Sequence, residues 1–250
     1  MRKPFGRSLL ITGTDTGVGK TLLAGGLAGA LRRRGHRVGN MKPAESGCPE
    51  TGGEIVPRDA LFVKRMAGCE SPLEAVCPYR FRAPLAPSVA AGREGVEIDP
   101  GRIVAAFEGI RAAHDVTLVE GVGGFLVPIT RDFWVSDLAV RLGLPLLVVG
   151  RLGLGTLNHT LLTLEAAARR GLSVLGFVLN AVTPSDSIAE ETNPDVLSSL
   201  TPVPFLGVLP HLPALAGTAP DPDRHGDDLI EAIERHLDVG ALETALSLGS

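Results

Sequence analysis

"SLLITGTDTGVGKTLLAGGLAGALRRRG", residues 8–35, decides the fold. Its first six residues, Ser8 to Gly13, form a short, mostly apolar run of the kind found in a strand covered on both faces. Residues 20–35 are rich in Ala and Leu and close at Gly35, which predicts a helix. Between them lies a glycine-rich loop ending in Gly-Lys-Thr. A strand that feeds such a loop and leaves it as a helix is the setting of a phosphate-binding loop. Gly13, Gly17 and Gly19 let successive backbone N–H groups turn toward one anion. The helix start adds about half a positive charge at that point. Lys20 is placed to reach β- and γ-phosphates, and the Thr21 hydroxyl to ligate Mg2+. The spacing departs by one place from the commonest form, since five places back from Gly19 stands Thr14 and not Gly13. An extra residue is expected to enlarge the loop's mouth while Gly-Lys-Thr keeps its place against the helix. A purely structural turn can be equally rich in glycine, but it has no need of Lys-Thr in the helix's first turn.

Working outward, "HRVGNMKPA" (36–44), "DVTLVEGVGG" (115–124), "LPLLVVG" (144–150), "LSVLGFVLN" (172–180) and "VPFLGVLP" (203–210) read as further strands. "DALFVKRMAG" (59–68), "DPGRIVAAFEGIRAAH" (99–114), "FWVSDLAVRLG" (133–143) and "GTLNHTLLTLEAAARRG" (155–171) read as helices. "TAPDPDRHGDD" (218–228) reads as a surface loop before a final amphipathic helix. Alternating strands and helices, with strands lacking polar alternation, predict one doubly wound α/β domain over residues 1–250 with a mainly parallel sheet.

Composition narrows the partners. The chain has 250 residues, 44% of them hydrophobic, enough for a substantial core. A net charge of −4 and a pI near 5.9, with charges scattered along the chain, give no footprint for nucleic acid. The apolar run in "MRKPFGRSLLITG" (1–13) is too short for a signal peptide, and no stretch is long enough to span a membrane, so a cytoplasmic protein is expected. Cys48, Cys69 and Cys77 lack metal-ligand spacing and read as free thiols in a reducing compartment. Of the 24 basic residues only Lys3, Lys20, Lys42 and Lys64 are lysines, which draws attention to the two in loop contexts, Lys20 and Lys42.

In a doubly wound sheet, ligands sit outside the carboxyl ends of the strands. Four groups fall there: the 13–21 loop, Lys42, Glu120 and Asn180. Glu120 follows an apolar strand and suits a Mg2+-organising acid, with Gly121, Gly123 and Gly124 leaving room for phosphate; a solvated strand-ending Glu is the alternative. Lys42 precedes a strand-stopping proline and points toward the crevice, unless it is an ordinary surface lysine. Asp59 either serves the site or caps the helix it begins. Ser46 sits at a turn beside Lys42. Asn180 suits the donor–acceptor edge of adenine or caps the next turn. His159 falls inside a helical pattern, and no His, Cys or Asp spacing supports zinc.

"GTDTGVGKT", "MKPAESG", "VEGVGG", "LNAVTP" and "GVLP", in this order and spacing, resemble the dethiobiotin synthetases. The match runs from about residue 8 to about residue 212, and "GTDT-x-VGKT" with "KP-x-x-SG" is far more specific than a generic phosphate loop. The resemblance implies ATP- and Mg2+-dependent carboxylation and ring closure of 7,8-diaminononanoate with CO2 or bicarbonate. It implies Lys42, Lys20 and Thr16 as catalytic residues, with Thr16, Lys42 and Ser46 beside the substrate. It implies Thr21, Asp59 and Glu120 as the Mg2+ and phosphate ligands. Nucleotide loops are implied at Gly17, Val18, Gly19, Lys20, Thr21 and Leu22 and at Glu120, Gly121, Val122 and Gly123, with Asn180, Ala181, Leu209, Pro210 and His211 at the adenine end. It also implies a homodimer in which the partner's helix start, with Gly155, Thr156 and Asn158, holds the substrate's carboxylate. Gly17 stands where some members carry Glu, and Ala181 where some carry Asp. A related amidoligase and a partner-binding regulatory ATPase share the loop. The former usually carries a glutamine-hydrolysing domain for which this chain has no room, and the latter places a lysine where Asp15 stands here.

Overall fold

The computed structural model describes residues 7–184, 187–215 and 221–248; Lys3 and residues 218–220 of the acidic segment lie outside the described residues. Each expected strand is present at the core of its apolar run: β1 (Ser8–Gly13), β2 (Val38–Met41), β3 (Val116–Gly124), β4 (Leu146–Arg151), β5 (Val174–Asn180) and β6 (Phe205–Leu209). They form one six-stranded sheet in the order β6-β5-β4-β1-β3-β2, with every pairing parallel. The order reverses around β1, so the chain's first strand is central and its carboxyl end opens at the switch point where such sheets bind ligands.

Helices cover both faces: α1 (Lys20–Arg33), α2 (Arg58–Ala67), α3 (Leu73–Val76), α4 (Pro87–Glu94), α5 (Pro100–Ala113), α6 (Val135–Leu142), α7 (Thr156–Arg169), α8 (Ile188–Leu200), α9 (Pro222–His236) and α10 (Val239–Ala245). α1 is buried along most of its length because glycines let its neighbours approach. A Cβ on Gly26 would stand 2.5 Å from Ile233, and one on Gly29 2.5 Å from Ile230, while one on Gly25 would run into Phe62. The loop-bearing helix is thus held between α2 and α9.

Three expectations need correction. The strand expected over 36–44 stops at Met41, because Pro43 donates no N–H; Ala44–Ser46 pairs instead with Tyr79–Phe81 in a separate small sheet. The helix expected over 133–143 starts at Val135, since Phe133–Trp134 pairs back on Pro128–Thr130. The acidic segment is helical from Pro222: Asp221 accepts a bond from Asp223 N, and proline at the first helical position starts α9.

Candidate active site

The loop after β1 is tied down by the residues around it. Thr14 N–H donates to Val149 O at 2.9 Å, so the backbone bonding between β1 and β4 continues one residue into the loop. Lys20 turns back over the loop, its Nζ donating to Asp15 O at 3.0 Å. Asp15 Oδ1 accepts from Thr16 N at 2.7 Å, and Oδ2 lies 3.4 Å from the Arg151 guanidinium at the end of β4. Gly19 caps α1 in the left-handed region, at φ 95°, and a side chain there would collide with the Asn180 amide. That amide ends β5 and donates from Nδ2 to Val18 O at 2.9 Å. Burial lowers the Lys20 ammonium to a pKa of about 8, with Glu120 opposing the shift.

A second cluster meets this loop from the β2–β3 side. Immediately after β2, Lys42 is anchored by its own N–H on Val76 O at 2.7 Å. Its buried Nζ donates to Asp59 Oδ2 at 2.6 Å and to Glu120 Oε1 at 2.7 Å. The Thr21 hydroxyl donates to the same Glu120 oxygen at 2.8 Å. Glu120 lies within β3, opposite Ile11, and not at a strand tip. Asp59 does not cap α2: Pro57 holds the cap position, and the carboxylate is turned toward Lys42. Burial alone would lower Lys42, but Glu120 and Asp59 outweigh it and hold the ammonium well above the ordinary lysine range. Burial likewise pushes Asp59 up, and Lys42 and the Thr21 hydroxyl outweigh that, leaving its carboxyl below the ordinary range.

Glu45 has no place in the sequence-based site. It is buried in the short strand after Lys42, and its two oxygens accept from Asp59 N at 3.0 Å and Ala60 N at 2.9 Å. Burial raises its carboxyl to about 7, with Lys42 opposing. A carboxylate three residues from a site lysine is a hint; its partners, 14 and 15 positions away, are visible only in three dimensions.

The remaining residues line two cavities, pack beneath the loop or stand apart from both. Gly17, Gly19 and Leu22 join Asn180, Ala181, Leu209, Pro210 and His211 around a cavity of about 170 Å³. Another, of about 350 Å³, opens from Thr14, Asp15 and Thr16 between Gly124–Val127 and the α7 side chains His159 and Leu162. Gly121 is buried and Val122 half-buried behind the loop, and a Cβ on Gly123 would approach Thr16 Oγ1 to 3.4 Å. Val18 is buried beneath the loop. Ser46 is half-buried at the end of its short strand and lines neither cavity. Gly155 caps α7 and Asn158 is exposed, but the Thr156 hydroxyl is buried in its own chain, 3.3 Å from Thr160 Oγ1.

Among the described residues, no group of three or more His, Cys, Asp and Glu side chains is disposed to hold a metal ion. Mg2+ asks for less than that. It commonly takes one or two carboxylates and completes its shell with substrate phosphates and water. Glu120, Asp59 and the Thr21 hydroxyl are donors of this kind, and Glu120 Oε2 is buried without a hydrogen-bond partner.

Comparison with known proteins identifies the family. The family described as an AAA domain matches residues 7–219. A protein of Anaeromyxobacter sp. (strain K), named ATP-dependent dethiobiotin synthetase, is 47% identical over 85% of this chain and 94% of its own. Namesakes from Thermodesulfovibrio yellowstonii and Bacillus velezensis are 40% and 37% identical, over 93% and 97% of this chain and 96% and 99% of theirs. Among solved structures, pNOB8 ParA bound to nonspecific DNA aligns with a TM-score of 0.61 at 12% identity, over 98% of this chain and 100% of its own. MinD with Mg-ADP from Pyrococcus horikoshii OT3 aligns at 0.54 and 17%, over 96% and 93%. At those identities the structural likeness speaks for the phosphate-loop fold alone. The sequence likeness goes further: this chain is an AAA-domain protein that belongs to the ATP-dependent dethiobiotin synthetase family.

Proposed function

We propose that this chain, acting as one domain over residues 1–250, is a cyclo-ligase that closes the dethiobiotin ring from 7,8-diaminononanoate, CO2 and ATP. The observation that carries the reading is the buried Lys42 ammonium between Asp59 and Glu120, sharing Glu120 Oε1 with the Thr21 hydroxyl in the first turn of α1. Fixed positive charge belongs where two anions must meet, and the reaction brings a carbamate against a triphosphate.

The chemistry runs in three steps. One substrate amine adds to CO2, forming a C–N bond and losing a proton to give the carbamate. A carbamate oxygen then takes the γ-phosphoryl group from ATP, releasing ADP and leaving a carbamic–phosphoric anhydride. The second amine attacks the anhydride carbon, phosphate leaves, a proton is lost and the ureido ring closes. Lys42, charged throughout the neutral range, stabilises the carbamate and the γ-phosphoryl oxygens. Lys20, together with the backbone N–H groups of the 15–19 loop, receives the β- and γ-phosphates. Thr21, Asp59 and Glu120 would hold Mg2+, which supplies charge neutralisation at the phosphate oxygens. Thr16 faces the 350 Å³ cavity, whose Phe125, Leu126, Val127 and Leu162 suit the substrate's aliphatic chain, and Ser46 supports its head. The 170 Å³ cavity at Asn180 and Leu209–His211 suits the nucleobase.

A homodimer completes the site, with the α7 start around Gly155, Thr156 and Asn158 receiving the partner's substrate carboxylate through backbone N–H groups. Leu154, 92% exposed beside that helix start, and the exposed Leu126 and Leu162 support a covered surface there. Free cysteines fit a cytoplasmic setting. Among the described residues no helix is long and apolar enough to cross a membrane.

The test is ADP release from Mg-ATP and bicarbonate with and without 7,8-diaminononanoate, with the product mass measured alongside. Release that requires the diamine and yields the cyclic urea is expected. Hydrolysis indifferent to the diamine overturns the substrate assignment and points to a partner-binding ATPase.

A further inference from the structure

Glu45 occupies one of the unspecified positions of the KP-x-x-SG run, yet it is 5% exposed and satisfied by the start of another element. α2 has no side-chain cap of its own, with Pro57 at the cap position, so the N–H groups of Asp59 and Ala60 depend on Glu45. Glu45 is itself held. Residues 44–46 pair with Tyr79–Phe81, and Cys48 Sγ donates to Glu45 O at 3.4 Å. The result is a closed circuit: Pro43 and Ala44 link Lys42 to Glu45, two hydrogen bonds link Glu45 to α2, and the 2.6 Å ion pair links Asp59 back to Lys42.

We propose that Glu45 is a positioning residue for phosphoryl transfer: by clamping the first turn of α2 it fixes where the Asp59 carboxylate stands beside Lys42. An ordinary helix cap secures stability only. Here the two N–H groups being held include that of Asp59 itself, so loosening the clamp moves a side chain that faces the reacting phosphates. The inference rests on the reading of Asp59 given above.

The experiment is a double-mutant cycle on the full chain with Glu45→Ala, Glu45→Gln, Asp59→Asn and Glu45→Ala/Asp59→Asn. Each variant is assayed for diamine-dependent ring closure across Mg2+ concentration, and for the rise in Tm that Mg2+ produces in the presence of ADP. Loss of an outer partner of a metal-binding group typically lowers affinity or activity by about 10- to 100-fold. Glu45→Ala is therefore expected to lower kcat at least tenfold, raise the half-saturating Mg2+ about tenfold, shrink the Mg2+-dependent Tm rise and leave the KM for the diamine nearly unchanged. Glu45→Gln keeps its volume and one acceptor oxygen, so it recovers part of kcat even if Glu45→Ala folds poorly. Adding Glu45→Ala to Asp59→Asn is expected to change kcat and the Mg2+ response by less than about twofold, because both act through one group. An equal loss in both backgrounds, or a lowered Tm with unchanged kcat and Mg2+ response, overturns the proposal and leaves Glu45 a cap. An impaired Asp59→Asn beside a normal Glu45→Ala removes Glu45 alone. A normal Asp59→Asn removes the reading of Asp59 and this proposal together, while diamine-dependent turnover still stands for the function.

Discussion

The two site lysines share a side-chain chemistry and are set apart by their surroundings. Lys42 has two carboxylates within hydrogen-bond reach and stays charged; Lys20 has a backbone carbonyl and a buried position, and its pKa falls to about 8. The sign for stability follows. Between about 8 and the ordinary lysine value the unfolded chain keeps a proton that the folded chain has lost, so the free protein gains stability as pH rises through that window. Nucleotide binding runs the other way. Phosphates favour the ammonium, so binding takes up a proton and affinity falls above pH 8, by on the order of tenfold between about pH 7.5 and about pH 9.5. Titration with nucleotide at those two pH values checks it, and Lys20→Gln is expected to bind weakly with no such dependence. Lys42→Ala is expected to slow ring closure on the order of a hundred- to a thousandfold while changing nucleotide affinity only several-fold. It also takes from buried Glu120 its hydrogen-bonded cation, leaving only Lys20 nearby, at a cost of roughly 3 kcal/mol. A thermal melt should therefore show a lower Tm that Mg-ADP partly restores. Lys42 was legible in the sequence because a lone lysine between a strand and a proline has few structural uses. Glu45 was not, because nothing local says where a carboxylate's oxygens go. From the residues alone Asp59 stood between two roles; the resemblance favoured the ligand, and the fold puts Pro57 at the cap.

Among the elements, the six strands were legible because a parallel sheet covered on both faces demands unbroken apolar runs. α3, α4, α8 and α10 were not: three of them span eight residues or fewer, and α8 carries Pro194 in its interior. The glycines of α1 show how far propensity and packing can disagree. Gly→Ala in a helix interior favours stability by about 0.5–1 kcal/mol where space allows. At Gly109 of α5 nothing lies within 4 Å of a new Cβ, so Gly109→Ala is expected to raise the denaturation midpoint. At Gly29 the same change meets Ile230 at 2.5 Å and is expected to destabilise by about 1–3 kcal/mol. Paired denaturant melts of the two variants, one moving up and one down, check the argument.

At the level of the molecule, the segment beyond residue 220 closes the core over the loop-bearing helix. Leu229, Ile230 and Ile233 of α9 pack on α1; Arg33–Asp227 bridges these two helices, and Arg34–Glu243 ties the end of α1 to α10, at 2.6 Å each. Arg33–Asp227 is solvent-exposed, and a pair of this kind contributes about 0–1 kcal/mol. The apolar contact carries the attachment. Ile233→Ala is expected to cost about 2–4 kcal/mol, whereas raising the salt concentration should shift the wild-type Tm little. Thermal melts of both, at low and high salt, separate the two contributions.

That attachment spans 194 positions of sequence, from Arg33 to Asp227, and this sets an order of events during synthesis. The loop and its helix leave the ribosome early, but the flank of α1 marked by Gly26 and Gly29 has no cover until residues 229–233 emerge. Through most of translation the nascent chain therefore carries an uncovered apolar furrow beside its future nucleotide site. The helix that carries the phosphate loop is therefore packed last, when α9 arrives.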